Sequence, residues 1–245
     1  MKKQRFSDSD SPRRRRFLQA LASGTTLFLA GWSPSRSIAN VRTGSSLASV
    51  EEEVSPGEDL MREHGVLKRI LLVYGEAIRR LEANKDLSPE PLANSAGIIR
   101  SFIEDYHEKL EEDYLFPRFK KANKLVDLVD ILQEQHRAGR LLTDTVLLMS
   151  KTERLSSAED RKALANALSL FIRIYGPHAA REDTVLFPAL HEIVSVNEYN
   201  ELGEDFEQKE HELFGDGGFE NMVDRVAAIE KNLGIYDLKQ FTPKE

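Results

Sequence analysis

His107-Glu108-Lys109-Leu110-Glu111-Glu112-Asp113-Tyr114-Leu115-Phe116-Pro117 is answered later in the chain by His178-Ala179-Ala180-Arg181-Glu182-Asp183-Thr184-Val185-Leu186-Phe187-Pro188. The offset is constant, since 178 − 107 = 71 and 188 − 117 = 71. Each copy carries His-x-x-x-Glu followed by Leu-Phe-Pro. A histidine and a glutamate four apart on a helix share one face, a turn apart, so both side chains can reach a common ion. That face is the apolar one: Ile103, His107, Glu111 and Leu115 fall on one row, as do Ile174, His178, Glu182 and Leu186. A lone carboxylate in such a stripe is costly, because burial strips its hydration without supplying a counter-charge. A pair of cations shared between the two copies removes that cost.

The helices that precede each copy carry one histidine apiece. Apolar residues recur at helical spacing through Leu60, His64, Leu67, Leu71, Tyr74, Ile78 and Leu81, which is helix one. Helix two starts at Ser88-Pro89-Glu90 and runs to Phe116-Pro117, where proline should stop or bend it. Helix three covers about Lys124 to Ser150, with Leu125, Val129, Leu132, His136, Gly139, Thr143 and Val146 along one stripe. Helix four starts at Ser156-Ser157-Ala158-Glu159 and extends towards Leu186, with Gly176-Pro177 expected to kink it. His64 and His136 are related by nearly the same shift as the longer motifs, 136 − 64 = 72. The chain therefore reads as two helix pairs of one design.

Four long helices with short connections pack up-down-up-down. The expected fold is all-α, an antiparallel up-down four-helix bundle over residues 58–194, followed by short C-terminal helices over 195–245. Those are read as about Ser195 to Phe214 and Phe219 to Leu233, separated by Gly215-Asp216-Gly217-Gly218. In such a bundle the two His-x-x-x-Glu helices stand diagonally, and all six side chains converge on one cavity. Taken singly, a histidine in an apolar stripe is more often a hydrogen-bonded core residue, and one His–Glu pair is common on ordinary helices. Two copies at matched positions, each with a partner histidine on the preceding helix, favour a metal site.

Composition narrows the donors. The chain has 245 residues, 40% hydrophobic and 31% charged, enough apolar material for one main core. It has no cysteine, so disulfides, thiolate sites and Fe–S clusters are excluded and any metal must use histidine and carboxylate. Residues 1–39 differ from the rest: Arg13 to Arg16, then Phe17-Leu18-Gln19, an apolar stretch from Leu21 to Trp32, and Ser37-Ile38-Ala39 as a small-x-Ala cleavage site. This is the order of a bacterial signal peptide, and Arg14-Arg15-x-Phe17-Leu18 resembles the twin-arginine type, so a periplasmic or otherwise exported location is expected. Ser23, Gly24, Thr25 and Thr26 dilute the apolar run below what a membrane anchor needs, so no stable membrane insertion is expected after cleavage. A linker spans 40–57. Removing residues 1–39, with eight Lys/Arg and two Asp/Glu, takes the net charge from −7 to −13, which argues against nucleic acid as a partner.

From about Gly57 to Val194 these residues resemble the hemerythrin-like (HHE cation-binding) domains. The resemblance implies that His64, His107, His136 and His178 are terminal ligands and that Glu111 and Glu182 are bridging carboxylates of two iron ions. Mn or Zn also suits such donors, and affinity alone would not select iron. Oxygen-carrying hemerythrins have a further third-helix histidine where this chain has Arg140, so the His4Glu2 set looks more like that of regulatory HHE domains and of the repair-of-iron-centres proteins. The function implied is binding or sensing of O2 or a related small molecule such as nitric oxide or peroxide. Two alternatives stand beside it: a redox enzyme acting on nitric oxide or peroxide, or an iron donor; and a helical protein whose metal is purely structural. Glu112 and Asp183 are read as solvated helix-face charges in preference to groups that orient imidazoles. Tyr106 and Tyr114 are either core or pocket residues. Arg140 is expected to reach solvent unless it turns in to a bound anion. His191 and His211 lie outside the repeat and outside the ligand set.

Overall fold

The computed structural model describes residues 54–151 and 155–243. The signal-peptide reading over 1–39, and the linker as far as residue 53, lie outside the described residues. Ser55 opens helix α1 (Pro56–Glu82): its Oγ accepts from the Glu58 amide, and Pro56 sits in the first turn, where its missing N–H is not needed. The helix thus begins inside the stretch read as linker. Leu60, Leu67, Ile70 and Tyr74 bury its inner face.

Helix α2 spans 89–121, with Ser88 at its cap and Pro89 in its first turn. It does not end at Pro117. The turn Glu111–Leu115 is π-helical, with the Phe116 amide bonded to the Glu111 carbonyl five residues back. In an ordinary α-turn the Pro117 ring would collide with the carbonyl of Asp113, and proline offers no N–H to it. Widening the turn accommodates the ring, and the helix continues to Lys121. A longer π-helical stretch, Ile99–His107, precedes it. Ala122 to Leu125 then reverse the chain, with Asn123 and Leu125 in the left-handed region at φ 51° and 53°.

Helix α3 (Val126–Met149) returns antiparallel, and helix α4 spans 158–190. Ser157 caps α4 by accepting from the Asp160 amide. The chain stays helical through Pro177, and the π-turn Glu182–Leu186 precedes Pro188 as Glu111–Leu115 precedes Pro117. Helices α1 and α4, α4 and α3, α3 and α2, and α2 and α1 pack as neighbours, so the two His-x-x-x-Glu helices stand diagonally. The fold is the all-α bundle expected.

Helices α5 (Val196–Phe214) and α6 (Gly218–Leu233) complete the six among the described residues. They are part of the same body. Phe206 is fully buried and meets Tyr114 edge-on at 5.6 Å, and Phe214 packs on Phe102 and Tyr106. Arg69 of α1 holds Glu230 of α6 through two bonds of 3.0 and 2.5 Å. Among the described residues no helix is long and apolar enough to cross a membrane.

Candidate metal centre

The π-turns start at the two glutamates, and both side chains point into the bundle with no exposed surface. Around them stand four imidazoles. His64 comes from α1, His107 from α2, His136 from α3 and His178 from α4, each at most 3% exposed. Their Nε2 atoms form two pairs: His64 to His107 at 3.0 Å, and His136 to His178 at 3.2 Å. Each glutamate serves both pairs. Glu111 turns Oε1 towards His107 (3.9 Å) and Oε2 towards His136 (3.4 Å); Glu182 turns Oε2 towards His64 (3.4 Å) and Oε1 towards His178 (3.1 Å). None of the four carboxylate oxygens has a hydrogen-bond partner.

That arrangement fits two cations. Two nitrogens about 2.1 Å from one ion and roughly a right angle apart stand about 3 Å from each other, which is the separation within each imidazole pair. Each half has two nitrogens and one oxygen from each carboxylate, and buried oxygens without donors are groups that a cation satisfies.

The other ring nitrogens are fixed from outside. His64 Nδ1–H donates to Asp183 Oδ1 at 2.6 Å, and His136 Nδ1–H donates to Glu112 Oε1 at 3.1 Å. His107 Nδ1–H donates to Glu63 Oε2 at 2.8 Å, and His178 Nδ1–H donates to Gln135 Oε1 at 2.9 Å. With the proton on Nδ1, each Nε2 presents its lone pair inward. Phe187 stacks on His64 and Phe116 on His136, at 5.6 and 5.5 Å. His64 is therefore served by Asp183 and Phe187 of the second repeat, and His136 by Glu112 and Phe116 of the first. The halves interlock crosswise.

Charge follows from burial. Burial, and then the facing Glu182, hold the Glu111 carboxyl well above the usual carboxylate range. Burial opposes the Glu182 charge too, but His178 and His64 outweigh it and hold that carboxyl low. Burial lowers His107 well below the ordinary imidazole value and His136 to about 4. Burial also opposes a charge on His64, yet its bond to Asp183 and the negative charge of the nearby Glu182 raise it to about 9.

The readings of Glu112, Asp183 and Arg140 need correction. Glu112 and Asp183 are not solvated: at 12% and 17% exposure they accept from ligand-position imidazoles, with Arg140 and Lys68 beside them. Arg140 is half-buried, at 26% exposure, with its guanidinium turned onto two carboxylates. Its Nη2 lies 2.8 Å from both Glu108 Oε2 and Glu112 Oε1. Tyr106 is core, with its hydroxyl donating to Glu63 at 3.0 Å, whereas Tyr114 lies at the α5 contact. Sequence reasoning missed Glu63, Gln135, Glu108 and Tyr175. The first two precede His64 and His136 and obey the shift of 72, which was the available signal. Tyr175 donates to buried Glu108 at 2.6 Å, and Gly139 makes room for it: a Cβ there would lie 2.0 Å from the hydroxyl oxygen, far inside van der Waals contact. His191 packs against Tyr199 and His211 lies beside Asp216, and neither joins the cluster of histidines and glutamates.

The sequence matches the hemerythrin HHE cation binding domain over residues 55–190. The chain belongs to that family. An uncharacterized protein of Mycobacterium bovis is 54% identical to this hemerythrin-family chain over 194 residues, 79% of this chain and 76% of that protein. Uncharacterized proteins of two Mycobacterium tuberculosis strains match it with the same identity and coverage. No solved structure matches it. Membership implies cation binding, usually of iron, and the His/Glu clusters of this hemerythrin-like domain are compatible with it.

Proposed function

We propose that this is a non-haem di-iron protein that binds or senses O2 or a related small molecule, nitric oxide and peroxide among them. The observation that carries the reading is the four oxygens of Glu111 and Glu182, fully buried, without hydrogen-bond donors, and facing four inward Nε2 atoms. Two irons held there supply electrons that a small oxidant can accept. The chain's own contribution is to hold and to exclude. Asp183, Glu112, Glu63 and Gln135 fix the imidazole orientations, Glu111 and Glu182 each offer one oxygen to each half, and Phe116 and Phe187 cover the rings against water.

The test is anaerobic loading with Fe(II), metal analysis, and then exposure to O2 followed by optical spectroscopy. About two irons per chain are expected, with a lower melting temperature after chelation. Retention of full metal content by the Glu111→Ala, Glu182→Ala double variant would overturn the assignment, while His191→Ala is expected to lose none. A reversible adduct with O2 supports binding or sensing; turnover supports an oxidoreductase; no reaction leaves a structural metal. We propose in addition that the protein is exported, on the strength of Arg14-Arg15-x-Phe17-Leu18. Cell fractionation should find it in the periplasm, and in the cytoplasm once Arg14 and Arg15 are both replaced by Lys. An unchanged distribution would sink the proposal.

A further inference from the structure

The two halves of the centre match residue for residue, with one break in the groups that hold the imidazoles. Asp183 on His64 corresponds to Glu112 on His136, since 183 − 112 = 71, and both are carboxylates with a cation at hand: Lys68 Nζ at 2.6 Å and Arg140 Nη2 at 2.8 Å. Glu63 on His107 corresponds to Gln135 on His178, since 135 − 63 = 72. There the charge differs.

A carboxylate accepting from Nδ1–H draws that proton outward and makes Nε2 the stronger donor, and it can act in no other way while ionised. Both oxygens of Glu63 face donors, His107 Nδ1–H at 2.8 Å and the Tyr106 hydroxyl at 3.0 Å, so both act as acceptors. An amide carries no charge. It can also present its NH2 in place of its oxygen, so it fixes the ring's tautomer less firmly. A second asymmetry lies at the other half. Glu108, whose counterpart in the second repeat is Ala179, lies 3.9 Å from His136 Nδ1. Its oxygens are taken by Tyr175 and Arg140, so any charge it carries is matched by the guanidinium and it accepts from no imidazole.

We propose that the two metal positions are unequal, the one between His64 and His107 holding its ion more tightly, and that Glu63 and Gln135 are the positioning residues that set the difference. This rests on the di-metal reading above. His178 then becomes the most labile of the four histidines, and the position it shares with His136 is the one from which metal leaves first.

The experiment is addition of one equivalent of Zn2+ to the metal-free chain, with imidazole 15N NMR to show which Nε2 atoms are ligated. The expected result is filling of the His64/His107 pair first, with His136 and His178 shifting only on the second equivalent. Glu63→Gln should weaken the tighter step by roughly 10- to 100-fold. The exchanged double variant, Glu63→Gln with Gln135→Glu, keeps total charge and should reverse the order of filling. Equal filling in the wild type, first filling of the His136/His178 pair, or an order that survives the exchange would each overturn the inference. Absence of bound Zn2+ at either pair would instead defeat the di-metal reading on which it depends.

Discussion

Gly139 and Tyr175 show how much one missing methyl group decides. The Tyr175 hydroxyl occupies the space a Cβ at 139 would take, and its bond to Glu108 is one of the two that stabilise that buried carboxylate. Gly139→Ala must displace the ring and leave a buried oxygen short of a donor. A loss of roughly 2 to 4 kcal/mol is expected, from overpacking and from the orphaned acceptor together, and urea denaturation measures it. Adding Tyr175→Phe should recover only part, because ring carbons also crowd that position. Stability within about 0.5 kcal/mol of the wild type would refute this. At this scale the six inward donors were legible, because a buried His-x-x-x-Glu has few meanings when it occurs twice. The groups behind them were not. Glu112 and Asp183 sit beside Glu111 and Glu182 on helices whose outer faces are rich in charge, and only packing tells an inward-leaning carboxylate from a solvated one. Gly139 stood in the helix-three stripe, yet nothing in the sequence says which ring fills its place.

Helix ends couple to one another through charge. Glu76 accepts from Arg79 and Arg80, and Arg80 Nη2 in turn donates to the Leu233 carbonyl at 2.6 Å, so the end of α1 is fastened to the end of α6. The Arg79 bonds, set against partial burial, hold the Glu76 carboxyl below its ordinary value of 4.5. A carboxyl depressed by folding contributes stability above the unfolded value and loses it as pH falls through the folded one. Glu76→Gln should therefore cost roughly 0.5 to 1 kcal/mol at neutral pH, the difference from wild type closing below about pH 4.5. Parallel unfolding curves at pH 7 and pH 3.5 check the sign; a gap that widens in acid would contradict it. Capping chemistry made the start of α4 readable, as Ser157 accepts from the amide three residues on, whereas Ser55 caps α1 in the same way from within the stretch read as linker. Of the two outcomes read at Pro117, a stop or a bend, the stop does not occur, because a π-turn carries the chain past the proline.

The 71-residue repeat carried the architecture of the bundle, but the last fifty residues were read as an appended segment. They are built into the same body: Glu210 accepts from the Phe219 amide, and its other oxygen lies 3.4 Å from the Tyr106 hydroxyl that holds Glu63. Nothing in helical periodicity distinguishes a helix packed on a bundle from one beside it. The crosswise service of the two halves has a consequence for how copies of this chain can meet. The groups that fix His64 from outside, Asp183 and Phe187, lie beyond residue 125, and those that fix His136, Glu112 and Phe116, lie before it. A second molecule carries the same surfaces, so two opened chains can trade halves and rebuild two full centres in an intertwined dimer. The segment where such an exchange pivots, Ala122 to Leu125, holds a leucine in the left-handed region, at a cost of about 1 to 2 kcal/mol, which opening would relieve. Refolding at millimolar concentration should yield a species of doubled mass by size-exclusion chromatography, with full metal content per chain, and Leu125→Gly should reduce its share. If concentrated refolding gives monomer alone, the two halves recognise each other only within one chain.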